Sequence, residues 1–162
     1  MDDHAGDHER TAAADVPVVG IGASAGGLEA FRLLLGGVPA DTGFAIVLIQ
    51  HLDPTHESSL SEILGRATSM PVAEAADGVP VEPNHVYVIP PNTALTIVNR
   101  VLRLSPRDQT PGLHLPIDHF LRSLAQDCRS NAIGVILSGA GSDGALGLQA
   151  VKEAGGVTFA AL

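Results

Sequence analysis

Aromatic side chains are scarce in this sequence: no tryptophan, one tyrosine and four phenylalanines stand against 45% hydrophobic residues. Any core must therefore be built from Val, Ile, Leu and Ala. The 162 residues suffice for one domain with a substantial core. An aliphatic diet with 18 glycines suits buried parallel strands alternating with helices. Cysteine is almost absent too. Cys128 alone excludes an intrachain disulfide framework and fits a reducing compartment. No apolar run approaches the ~20 residues that cross a bilayer, and the N-terminus lacks the basic-then-apolar pattern of a secretory signal. These absences lead to the expectation of a cytoplasmic domain without membrane insertion. Cations are few as well: 9 Lys and Arg against 18 Asp and Glu leave a formal charge of −9, which argues against nucleic acid as a partner. Part of that acidity lies in residues 1–15, MDDHAGDHERTAAAD, a stretch with neither helical nor strand periodicity. A disordered acidic leader is expected there, with His4 and His8 solvated rather than metal-bound. Residues 16–162 then form the folded domain.

What is present is a regular alternation. Val16–Ile21 and Phe44–Ile49 are short apolar runs that read as buried strands, and Val86–Ile89, Ala132–Leu137 and Val157–Ala160 read likewise. Between them, Gly26–Leu35, Glu57–Ala67, Ile117–Arg129 and Ala145–Ala154 carry apolar residues at helical spacing, and Gly36–Gly37 is expected to stop the first helix. Leu95–Val98 and Val101–Leu104, joined across Asn99–Arg100, predict a hairpin. The order predicts an α/β fold: a doubly wound, mainly parallel sheet with helices on both faces, plus a small β-hairpin.

Such sheets react at the carboxyl ends of their strands, so the residues just past each strand are the ones to inspect. After the first strand stands Gly22-Ala23-Ser24-Ala25-Gly26, after the second Gln50-His51, and after the strand at 132–137 Ser138-Gly139-Ala140-Gly141-Ser142-Asp143-Gly144. Serine, histidine and aspartate thus come to one sheet edge. A serine hydroxyl is a weak nucleophile that needs a base within reach. Imidazole, with an ordinary pKa near ~6.5, suits that role, and a carboxylate behind it fixes the tautomer and stabilises the imidazolium. Flanking glycines allow a sharp turn and leave amides for an oxyanion. Singly, each residue has a plainer reading: a small residue in a Gly-rich turn for Ser24, a core or helix-entry histidine for His51, and a cap for the helix beginning near Ala145 for Asp143. Together the three favour catalysis. Gly20–Gly26 also reads as a variant dinucleotide loop, but the second strand ends on Gln50 and His51, where that fold places an acid or arginine to read the ribose. The α/β-hydrolase elbow fails on order, since the chain runs Ser, His, Asp.

GIGASAGG at 20–27, IQHLDP at 49–54 and SGAGSDGALG at 138–147 resemble the three active-site segments of the CheB-type protein-glutamate methylesterase family, and HVYVIPPN at 85–92 and LHLPIDHFLRSLA at 113–125 resemble its connecting text. The resemblance covers about residues 17–160 and extends to the esterase module of fused methylesterase–methyltransferase sensor proteins. It implies Ser24 as nucleophile, His51 as general base and then acid, and Asp143 as its orienting partner. It further implies hydrolysis of glutamate γ-methyl esters, and deamidation of glutamines, on methyl-accepting chemotaxis receptors. No metal or organic cofactor is implied, and a methyltransferase, fused or associated, is an implied partner. A non-catalytic regulatory or receptor-binding module that keeps the esterase fold is the alternative, and nucleotide binding a third reading.

The sequence departs from the family's pattern at three places. Ala25 and Ala140 stand where the chemotaxis enzymes commonly carry threonine and methionine. The 15-residue leader is too short for a receiver domain, so control by one within these residues is not expected. The family domain commonly runs on by a further strand and helix beyond the position of Leu162, so a truncated C-terminus with bare apolar surface is expected.

Overall fold

The computed structural model describes residues 15–24, 26–50, 60–106, 115–137 and 143–161. Most of the expected acidic leader lies outside them. Eight strands are described: β1 (Val18–Ala23), β2 (Ala45–Gln50), β3 (Val72–Glu74), β4 (His85–Val88), β5 (Thr93–Val98), β6 (Val101–Pro106), β7 (Ala132–Ile136) and β8 (Val157–Ala160). The helices are α1 (Leu28–Gly37), α2 (Leu60–Gly65), α3 (Pro116–Cys128) and α4 (Ala145–Glu153), with a 3-10 turn at Arg129–Asn131. Six strands form one parallel sheet in the order β3-β4-β2-β1-β7-β8, and β5 and β6 pair antiparallel beside it. The expected doubly wound sheet and hairpin are both there.

Burial follows the strand period of two. Val19, Ile21 and Ala23 of β1, with Ile46 and Leu48 of β2, share a core with Phe31 and Leu35 of α1 and Leu60 and Leu64 of α2. Val18, Ala45, Val47 and Ile49 point the other way, toward α3, α4 and the hairpin residues Leu95, Ile97 and Leu102. Each central strand is therefore apolar on both faces, which is why it reads as a continuous hydrophobic run. Gly20 and Gly22 lie where α3 crosses β1. A Cβ on Gly20 would sit 2.9 Å from the Leu121 Cδ2, and one on Gly22 only 2.5 Å from the Ile117 Cγ2. Glycine at these two positions sets the height of α3 above the sheet.

Several boundaries differ from the sequence reading for physical reasons. β1 runs on to Ala23 because its glycines are packing positions, not breakers. Gly36 and Gly37 lie inside α1, since neither takes a left-handed φ; the helix ends instead at Val38, extended at φ −96° and ψ 123°, the geometry that Pro39 imposes on the residue before it. β3 has no counterpart in the sequence reading. It is a three-residue, largely exposed edge strand whose one large apolar residue, Val72, leaves no periodicity to detect. The hairpin turn holds Asn99 and Arg100 at φ 53° and 61°, the double left-handed geometry that matches strand twist. Among the described residues, no helix is long and apolar enough to cross a membrane.

Candidate active site

Strand order places a switch point between β1 and β7. From β1 the chain crosses by α1 on one face to β2, whereas from β7 it continues into α4 on the opposite face. Helices that diverge in this way open a crevice at the carboxyl ends of the two strands, the usual site in open α/β sheets. Ser24 directly follows β1, and Asp143 lies between β7 and α4. The strands pair in register from Val18↔Ala132 to Gly22↔Ile136, and the Leu137 amide donates to the Gly22 carbonyl at 2.9 Å, so both segments leave the sheet at one edge. His51 lies outside the described residues. It is next in sequence to Gln50, the last residue of β2, which flanks β1 on its other side.

The Ser24 carbonyl is held twice, by the Gly27 amide at 2.9 Å and by the Gln50 Nε2 at 3.1 Å. Gln50 is buried and stands opposite Ala23 in the β1–β2 ladder. The first contact closes the turn from strand to helix, and the second ties that turn to the neighbouring strand. At Gly27 a side chain would run into the Ala23 Cβ, so only glycine lets α1 start this close to the strand. The residue before α1, Gly27, has no side chain to cap it. The leading amides, the positive end of the helix, begin shortly after the half-buried Ser24 in the chain.

Asp143 is buried, at 3% exposure. Its Oδ2 accepts from the Ile117 amide at 3.0 Å and its Oδ1 from the Asp118 amide at 2.8 Å. The plainer sequence reading, a cap for the helix near Ala145, is thus replaced by a different contact: Asp143 caps α3, and α4 is capped by Asp118. The Asp118 Oδ1 accepts from Gly144 at 2.9 Å and Gly147 at 2.7 Å. The left-handed Gly144, at φ +113°, turns the chain between Asp143 and α4. Two amide hydrogen bonds to one carboxylate fix its plane as well as its position. Neither Gln50 nor Asp118 was singled out as a site residue from the sequence. Gln50 carries one signal, a polar residue ending an apolar strand just before the histidine. Asp118 carries none, because an acid in a helix's first turn reads as a partner for its own helix. Among the described residues, no group of three or more His, Cys, Asp or Glu could hold a metal ion.

Comparison with known proteins identifies the family. The family model for CheB methylesterase matches residues 19–161. The protein-glutamate methylesterase/protein-glutamine glutaminase 2 of Xanthomonas oryzae pv. oryzae (strain MAFF 311018) is 41% identical over 146 residues, covering 88% of this chain and 40% of that protein. Its namesake in Pseudomonas aeruginosa is 37% identical over 147 residues, covering 88% of this chain and 42% of that protein. The chain thus spans about two fifths of the length of these curated relatives. Among solved structures, the Thermotoga maritima CheB methylesterase catalytic domain superposes with a TM-score of 0.77 at 31% identity, covering 88% of this chain and 78% of that one. The chain belongs to the CheB methylesterase family.

Proposed function

We propose that residues 16–162 form a serine hydrolase unit that demethylates glutamate γ-methyl esters on methyl-accepting chemotaxis receptors and deamidates receptor glutamines. The names of the relatives carry the substrate chemistry: both are protein-glutamate methylesterase/protein-glutamine glutaminases. One observation supports the residue roles above the others. Ser24 and the amide-held Asp143 leave adjacent strands at the switch point, and His51 follows the strand on the other side of β1.

In this reading the Ser24 Oγ attacks the ester carbonyl while His51 takes its proton. The imidazolium then delivers that proton to the departing methoxide, releasing methanol and leaving an acyl-serine. Water, activated by the same imidazole, hydrolyses the acyl group to free glutamate and restores the serine. On glutamine the leaving group is ammonia. The helix amides that hold Asp143 use part of a carboxylate's acceptor capacity, about four lone-pair positions, so the same group can orient the imidazole. The α1 N-terminus supplies amides and a positive end near the developing oxyanion. A buried free thiol, Cys128, fits a cytoplasmic setting.

The test is methanol release from a methyl-esterified receptor fragment by the parent and by Ser24→Ala. The parent should turn over, and the variant should fall by about three orders of magnitude or more with an unchanged fold. Equal turnover in the two would remove Ser24 from the reaction.

A further inference from the structure

Asp118 is 4% exposed, and its two oxygens have unequal surroundings. Oδ1 takes two backbone donors from the start of α4, whereas Oδ2 is buried with no hydrogen-bond partner among the described residues. A buried acceptor left unsatisfied is costly, and a buried acid of this kind calls for an explanation beyond its own packing. The surroundings supply one. Asp143, at the start of α4, holds the first amides of α3, while Asp118, in the first turn of α3, holds the first amides of α4. The two helix starts are cross-capped. One of the amides bound by Asp118 belongs to Gly144, the residue bonded to Asp143. The Asp118 amide itself donates to the Asp143 Oδ1 at 2.8 Å. Gly144 is closely packed, since at its left-handed φ of +113° a Cβ would stand 2.5 Å from the Ile136 Cδ1.

We propose that Asp118 is a positioning residue for the reaction, fixing the orientation of the Asp143 carboxylate by anchoring the backbone on either side of the exchange. This rests on the triad reading of Ser24, His51 and Asp143. Asp118 touches no reacting atom in this scheme. Without it, the Gly144 and Gly147 amides lose their acceptor, the start of α4 moves, and Asp143 follows. Displacements of about 1 Å at a catalytic group cost on the order of 100-fold in rate.

The experiment is a double-mutant cycle on methanol release, run well below the melting temperature of every variant. Asp118→Ala should lower kcat about 10- to 100-fold with KM unchanged, and Asp118→Asn, whose carbonyl oxygen can still accept both amides, should recover most of that loss. Asp143→Ala should lower kcat further still, and adding Asp118→Ala to it should cost nothing more, because the residue acts only through Asp143. A role limited to stability would leave kcat intact in the folded Asp118→Ala protein, or give losses that multiply in the double variant; either result overturns the proposal. If Asp118→Ala does not fold, the same cycle with Asp118→Asn and Asp118→Ser decides it. Ser24→Ala, measured alongside, separates the two levels: activity surviving that change defeats the triad reading itself, while its loss combined with multiplying Asp118 and Asp143 effects defeats only the positioning role.

Discussion

Helix α3 is anchored at its two ends by different chemistry. At its C-terminal end the Asp127 carboxylate accepts from the Asn99 and Arg100 amides at 2.6 and 2.9 Å and meets the Arg100 guanidinium at 3.2 Å. That guanidinium also donates to the carbonyls of Val16 and Asp127. At its N-terminal end, Asp143 and Asp118 are held by helix amides instead. The first arrangement closes on itself: a buried cation and a carboxylate satisfy one another and tie the hairpin, the segment leading into β1 and helix α3 together. The second holds its carboxylates by the partial charges of helix amides, which orient an acid. An ion pair suits a fastening; an amide-held acid suits a site where positive charge develops only during the reaction.

The two ends should therefore fail differently. The largest effect is expected for Asp143→Asn, which should lower kcat on the methyl ester about 10,000-fold, since in the proposed triad the imidazole would lose its orienting carboxylate. Steady-state methanol release checks this, and a loss below tenfold would make the N-terminal end a fastening like the other. Asp127→Ala should do the reverse. It strands Arg100, 5% exposed, and should lower unfolding free energy by about 3–5 kcal/mol, while kcat measured below the melting temperature stays near the parent's. Urea titration and turnover on the same samples read both quantities.

Two glycine substitutions sharpen the contrast. Gly22→Ala and Gly20→Ala both press a methyl group against α3, and each should destabilise by about 1–3 kcal/mol. Gly22 faces Ile117, whose amide Asp143 accepts, whereas Gly20 faces Leu121, Phe120 and Leu124 further along the helix. Only Gly22→Ala should also slow turnover, by roughly tenfold, as the helix start shifts. Equal effects on kcat would mean that the position of the α3 N-terminus does not matter to the chemistry.

The smallest effect belongs to Cys128, beside Asp127. Burial pushes its thiol up to about 12 from an ordinary value of 9.0, with the Asp127 charge adding to the rise and Arg100 opposing it. The folded state thus disfavours the thiolate. Its contribution to stability is complete below about pH 9 and is lost as pH rises toward 12. Cys128→Ala should remove that component, so the stability difference between parent and variant should shrink from pH 8 to pH 10 in chemical denaturation. A constant difference would show that the thiol titrates alike in both states.

The fold was largely legible because its central strands are apolar on both faces and its helices carry regular stripes. Ser24, His51 and Asp143 stood out for the same reason: strand ends are easy to find, and polar residues are few there. The cross-caps were not legible. Asp118 reaches Gly144 and Gly147 across two helices, and nothing in the text PIDHFLRSLA separates such a contact from an acid serving its own helix. Arg100 was equally hidden: a long cation at a hairpin turn reads as solvent-exposed, yet its left-handed backbone and three acceptor contacts bury it against α3. Long-range polar pairing leaves no periodicity, so only coordinates reveal it.

A reactive serine at the switch point should depend on the amide-held acid, not on the ion pair. Labelling by a fluorophosphonate, followed by peptide mapping, measures this directly. The parent should be modified at Ser24, Asp127→Ala at a similar rate below its melting temperature, and Asp143→Ala at least about 100-fold more slowly. Absence of label at Ser24 in the folded parent, or equal rates in all three proteins, would remove Asp143 and Ser24 from a shared catalytic site.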